Sequence, residues 1–266
     1  MKNSLILIPF LVLLSLAGAE TGVDYQKEEV FFRANQAYKE GRFQDAIDGY
    51  LRLIQSGHGN GNVYYNLGNA YIRSDQLGRA ILNYERAHIL WPRDADLDFN
   101  LRYARDRMRD AIPDRRGIVG MTFFWLGSLS LGELFRGFAV LNGLFWAILL
   151  IRLFRRSEWT YYISAILLIF WIMAGASFGL KWYQAATDDR AVILEKEAKI
   201  LAGPEPQDTL LFKLHEGTIV HHERSEEGWS LVRLTDKKRG WVIAEAIECI
   251  RPLTLGNLFV IIEPVG

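Results

Sequence analysis

Between Trp159 and Leu180 stand twenty-two consecutive residues without a charge. At about 1.5 Å per helical residue, this run reaches about 33 Å, enough to cross the hydrocarbon core of a bilayer. Trp159 and Trp182 close its ends, where indole rings favour the membrane interface, so residues 159–182 are expected to form a transmembrane helix. A shorter uncharged run, Gly137 to Ile151, lies just before it. With Leu134, Phe135, Leu153 and Phe154 added, and Arg136 snorkelling toward the headgroups, residues 131–154 are long enough for another span. Ser130 and Glu133 have the spacing of a capping box, which places the start of that helix. Arg152, Arg155 and Arg156 crowd the turn between the spans, and the positive-inside rule assigns that turn to the cytoplasm. The domains on either side then face outward.

The first residues fit this orientation. Lys2 precedes an apolar run from Leu5 to Leu16 and the small residues Ala17-Gly18-Ala19, so residues 1–19 read as a cleaved secretory signal peptide. Ala19 stands where a lipoprotein signal needs cysteine, so lipid attachment there is not expected.

Residues 27–111 contain an internal period of thirty-four residues. Gly41, Phe43, Ala46 and Tyr50 are answered by Asp75, Leu77, Ala80 and Tyr84. The run Tyr64-Tyr65-Asn66-Leu67-Gly68-Asn69-Ala70-Tyr71, followed by Ala80, Tyr84, Ala87 and Pro92, resembles the tetratricopeptide repeat. Two copies are expected, 27–60 and 61–94, followed by a capping helix from Asp94 to about Arg109 with Leu97, Leu101 and Ala104 on one face. The resemblance implies a concave groove for a partner peptide, lined by Phe31, Asn35, Tyr38 and Lys39 and then by Tyr65, Asn69, Ile72 and Arg73. One subclass clamps a terminal carboxylate with two asparagines and several basic residues. Asn35 and Asn66 match its asparagines, but Phe31, Asp96 and Asn100 hold the basic positions, so that clamp is not expected, and Asn66 reads as repeat consensus.

From residue 190 to 250 the pattern changes to short β-branched runs punctuated by Gly217, Gly228 and Gly240. About five strands are expected, closing into a small all-β barrel. The order Leu214-His215-Glu216-Gly217-Thr218, Gly228-Trp229 and Gly240-Trp241-Val242 resembles bacterial SH3-like domains, which bind wall peptides or proteins. Trp229 and Trp241 are the barrel's ligand candidates, with core packing as their expected role. Residues 251–266 form a tail whose apolar run Leu258 to Ile262 is too short to span; it can add a strand or dock on the membrane. The single cysteine, Cys249, is expected to be a small buried hydrophobe, and it cannot form a disulfide within the chain.

Chemistry-bearing motifs are scarce. Gly57-His58-Gly59-Asn60-Gly61 lacks the lysine of a phosphate loop, and His215-Glu216 lacks the second histidine of a metalloprotease helix. His221 and His222 are adjacent in a strand and point to opposite faces. No enzyme activity, cofactor or metal is therefore expected. A net formal charge of zero also gives no footprint for nucleic acid.

In this order, signal peptide, repeats with capping helix, two spans and an SH3-like barrel resemble BatE proteins of the Bat aerotolerance group. The resemblance implies a multidomain, non-catalytic envelope scaffold in the bacterial inner membrane with both domains in the periplasm. It also implies von Willebrand factor A-type membrane proteins as partners and, indirectly, a MoxR-type AAA ATPase. The alternative is a cell-wall anchor or sensor whose barrel binds peptidoglycan.

Overall fold

The computed structural model describes residues 27–110, 124–154 and 157–251. The expected signal peptide, Arg155, Arg156 and all of the tail after Arg251 lie outside the described residues.

Five helices come first: α1 over 27–39, α2 Phe43–Gln55, α3 Gly61–Arg73, α4 Leu77–Leu90 and α5 Ala95–Asp106. Helix starts at 61 and 95, and at 43 and 77, reproduce the thirty-four-residue period in three dimensions. The turns repeat as well. Gly41 has φ 77°, and its counterpart Asp75 is held at φ 54°, so the same left-handed position closes both hairpins. Close helix approach explains the small residues: a Cβ on Gly68 would lie 2.6 Å from the Tyr84 ring, and one on Gly49 would lie 2.8 Å from the Ala34 Cβ. Asp94 caps α5 by accepting from Leu97 N at 2.8 Å, and the buried face of α5 is Leu97, Leu101 and Ala104, as its spacing requires.

Two long helices follow a short one, α6 Phe124–Ser128. These are α7 Leu131–Phe154 and α8 Glu158–Ala186, both long and apolar enough to cross a membrane. The capping box at the start of α7 is formed on both sides: Glu133 N donates to Ser130 Oγ at 3.2 Å and Ser130 N to Glu133 Oε2 at 2.9 Å. Aromatic rings join α7 to α8, with Phe138 stacked on Phe178 and Phe145 on Trp171, and Gly175 leaves room for Phe138. The outer faces carry bare apolar side chains such as Val140, Leu153 and Ile169. Helices apolar all round, whose faces turned away from each other carry exposed apolar side chains, suit a lipid solvent.

The last unit is an antiparallel sheet of β1 Arg190–Ile193, β2 Glu197–Leu201, β3 Leu210–His215, β4 Ile219–Glu226, β5 Trp229–Arg233, β6 Arg239–Ile243 and β7 Ile247–Cys249, ordered β3-β2-β6-β5-β4-β1-β7. Seven strands replace the expected five. β2 shows the alternation of a half-buried strand, Glu197 and Lys199 outward and Ala198 and Ile200 buried, over only five residues, and β7 has only three. Period-two alternation separates the tryptophans from the sheet's main cluster, although Trp241 is itself buried, as core packing requires, and Trp229 is half-buried. Ser230, Val232 and Val242 are buried, and a Cβ on Gly240 would meet Ile200; Trp229 and Trp241 belong to the other face and stand outside the sheet's buried apolar cluster. Cys249, expected to be buried, is exposed because β7 is the edge strand.

The sheet does not stand apart from the helices. Val192 and Ile250 belong to the buried cluster of the helical array, while Ala191 and Ile193 of the same strand fill the sheet's own cluster. As a result α4 is covered on nearly every side, and even Asn83, Glu85 and Arg86 are buried. Arg86 Nη2 donates to Cys249 O at 2.7 Å and to Glu248 Oε1 at 2.8 Å, and Nε donates to Ile250 O at 3.3 Å. Glu85 pairs with Arg105 of α5 and lies 3.7 Å from Arg190 of β1. Gly78 completes the contact, because a Cβ there would lie 2.6 Å from Ile193 O.

Both soluble units leave the same end of the α7–α8 hairpin. Arg93, just after α4, pairs with Glu133 at the start of α7, and β1 begins four residues beyond the end of α8 at Ala186.

Candidate partner-binding groove

The eight side chains expected to line a groove lie on α1 and α3, with the spacing i, i+4, i+7 and i+8 in both helices. That spacing sets four residues on one helical face. Phe31, Asn35, Tyr38, Tyr65, Asn69 and Ile72 are half-buried, and Lys39 and Arg73 are exposed.

The floor of this face is a polar network that occurs twice. Asn35 Oδ1 accepts from Tyr50 Oη at 2.6 Å and from Asn66 Nδ2 at 3.0 Å. Thirty-four residues on, Asn69 Oδ1 accepts from Tyr84 Oη at 2.7 Å and from Asn100 Nδ2 at 3.0 Å. Ring contacts repeat with it: Phe31 lies 6.1 Å from Tyr50, and Tyr65 lies 6.1 Å from Tyr84. Each asparagine oxygen has two lone pairs, and both are used. The NH2 group is then the part of Asn35 and Asn69 that can donate to a bound segment.

Burial pushes the Tyr50 and Tyr84 hydroxyls far above the ordinary tyrosine range, so both stay protonated donors. Tyr65 is raised by the same cause and accepts from Asn100 Nδ2 at 3.0 Å. At the far end, Tyr38 meets Phe43 edge-on at 5.6 Å, and the Arg73 guanidinium lies 5.2 Å above the same ring. Phe43 therefore fixes the ends of both groove helices. The sequence reading did not place Tyr50, Tyr84 and Asn100 in the groove, and it left Asn66 as consensus. Their signal was the fifteen-residue interval from Asn35 to Tyr50 and from Asn69 to Tyr84.

The sheet offers less. Trp241 is 6% exposed, with the Arg224 guanidinium 5.3 Å above its ring, and Trp229 is half-buried two positions away on the neighbouring strand. His221 Nδ1 pairs with Asp189 at 2.6 Å, and His222 Nε2 lies 2.8 Å from Ser225 Oγ, so their partners differ as well as their faces. Among the described residues, no group of three or more His, Cys, Asp or Glu is arranged to hold a metal ion.

No protein-family model matches the chain, and no curated protein matches it.

Proposed function

We propose that the chain is a non-catalytic, membrane-anchored scaffold of the bacterial envelope whose tetratricopeptide-type groove holds a segment of a partner protein. The twice-repeated Asn–Tyr–Asn network carries this reading. It spends the buried polar groups on shaping the floor, and leaves amide donors, aromatic edges and the cations Lys39 and Arg73 at the surface. An extended peptide needs that combination: donors for its carbonyl groups and apolar edges for its side chains. Arg152, Arg155 and Arg156, clustered in sequence between the two spans, support a hairpin loop in the cytoplasm and both flanking units in the periplasm at the inner membrane. The partners proposed are von Willebrand factor A-type membrane proteins of a Bat-type aerotolerance or stress assembly, with a MoxR-type ATPase reached through them.

The test uses the full chain, cross-linked in intact cells and recovered in mild detergent. Replacing Tyr65, Asn69 and Arg73 together by alanine should abolish recovery of the partner, whereas replacing Gln44 and Arg52 on the outer helix should not. Unchanged recovery with the groove variant refutes the groove.

A further inference from the structure

A second cavity lies where the long helices meet the soluble units. It is a cleft of about 260 Å3 between α4, α6, α8 and the sheet, and its charged lining is Lys181, Arg190, Arg251 and Asp188. His88, also on the lining, lies 3.4 Å from Asp98.

Lys181 is the decisive group. After Glu158, it is the only charged residue in α8. It sits about 8 Å short of the helix end at Ala186, by helical rise, beside Trp182 and on the side where Trp125 bonds Ser177. Indole rings mark the headgroup layer. The ammonium has three donors. One goes to Leu126 O at 2.7 Å, and among the described residues no carboxylate pairs with it. A charge held at this depth needs a counter-charge. The nearest acid on the lining, Asp188, is already engaged by Arg190, which it holds through both oxygens at 2.9 and 2.7 Å. Lys181 is thus the cation of this lining for which the structure shows a carbonyl and no acid as partner among the described residues.

We infer that this cleft binds the phosphate group of an anionic phospholipid, with Lys181 as its principal donor. A free phosphate offers the same chemistry, but the location at the end of a membrane helix favours the lipid. The inference rests on the membrane placement of α7 and α8 and not on the groove.

Full-length protein in neutral detergent, mixed with phosphatidylglycerol or phosphatidylcholine and examined by native mass spectrometry, tests it. Wild type should retain phosphatidylglycerol about tenfold more than phosphatidylcholine. Lys181→Gln, which can still donate to Leu126 O, should lose that preference. Lys181→Arg should keep it, as should Lys196→Gln, which alters an exposed lysine away from the cleft. Equal retention of the two lipids, or an unchanged preference in Lys181→Gln, overturns the site. Millimolar inorganic phosphate should not displace the lipid; displacement without any lipid preference assigns the site to the free anion and overturns the lipid assignment.

Discussion

Replacing Arg86 by alanine should cost the protein about 3 kcal/mol. The estimate follows from where its bonds end. The side chain is 8% exposed, and its shortest bond, 2.7 Å to Cys249 O, is a charge-assisted contact worth about 1.5–3 kcal/mol. Removing it strands a carbonyl on the side of the sheet that faces α4. The bond to Ile250 O at 3.3 Å is weaker, and the guanidinium also lies 5.9 Å above the Tyr64 ring, a contact worth about 0.5–1 kcal/mol. Glu248, by contrast, is 43% exposed and remains hydrated without its partner, so its share is that of a surface pair, under about 1 kcal/mol. Glu248→Gln should therefore cost far less than Arg86→Ala, and the double variant should exceed Arg86→Ala by only a few tenths of a kcal/mol. Urea unfolding of the full chain in detergent, followed by tryptophan fluorescence and extrapolated linearly, measures each value. If Arg86→Ala unfolds within about 0.5 kcal/mol of wild type, or if Glu248→Gln costs as much as Arg86→Ala, the guanidinium does not join array to sheet in this way.

Two further changes probe the same contact. Gly78→Ala should destabilise by about 1–3 kcal/mol, because its Cβ would press on the Ile193 carbonyl and the Leu194 backbone, which cannot swing aside; Gly143→Ala, with open space around it, should show no such loss in the same unfolding measurement. At Asp110, burial pushes the carboxyl up, but bonds from His215 N, the His215 ring and the Thr218 hydroxyl outweigh it and hold the group below the usual aspartate range. A depressed folded value gives stability that is present above the unfolded value near 3.9 and is lost as pH falls through the folded one. Wild type should accordingly lose more stability than Asp110→Asn as pH falls from 5 to 2, read by urea unfolding at each pH, and equal acid sensitivity would remove Asp110 from the account.

What could be read from the sequence was local. The Ser130 and Glu133 spacing specified a helix start that both backbone bonds realise, and Asp94 before Leu97, Leu101 and Ala104 specified the capping helix. The helical repeat was legible because residues thirty-four apart perform the same task, down to Asp75 adopting the backbone of Gly41. The burial of Glu85 and Arg86 was not legible. On a helix, two adjacent charged residues read as a solvated face, and part of what covers them, Arg190 and Glu248, comes from more than a hundred positions away. β1 held the one sequence signal: Ala191-Val192-Ile193-Leu194 has no polar residue, which is the mark of a strand covered on both faces. Read that way, the run already requires a second layer against the sheet.

That second layer changes what the sheet can do for the groove. Two independent modules on a flexible tether would gain from each other only through effective concentration. Here α4 contributes Tyr84 to the groove floor and Arg86 to the sheet contact, two residues apart on one helix. Separating the sheet from α4 would expose Val192, Ile250 and a buried guanidinium, so the sheet acts as a brace for the helix that carries the second Asn–Tyr pair. A weakened brace should then loosen the groove at Tyr84 before it affects Tyr50, whose helix, α2, makes no comparable contact with the sheet. Tyr84 should therefore lose its hydrogen bond before Tyr50 when Arg86→Ala is compared with wild type, and simultaneous loss would refute the brace.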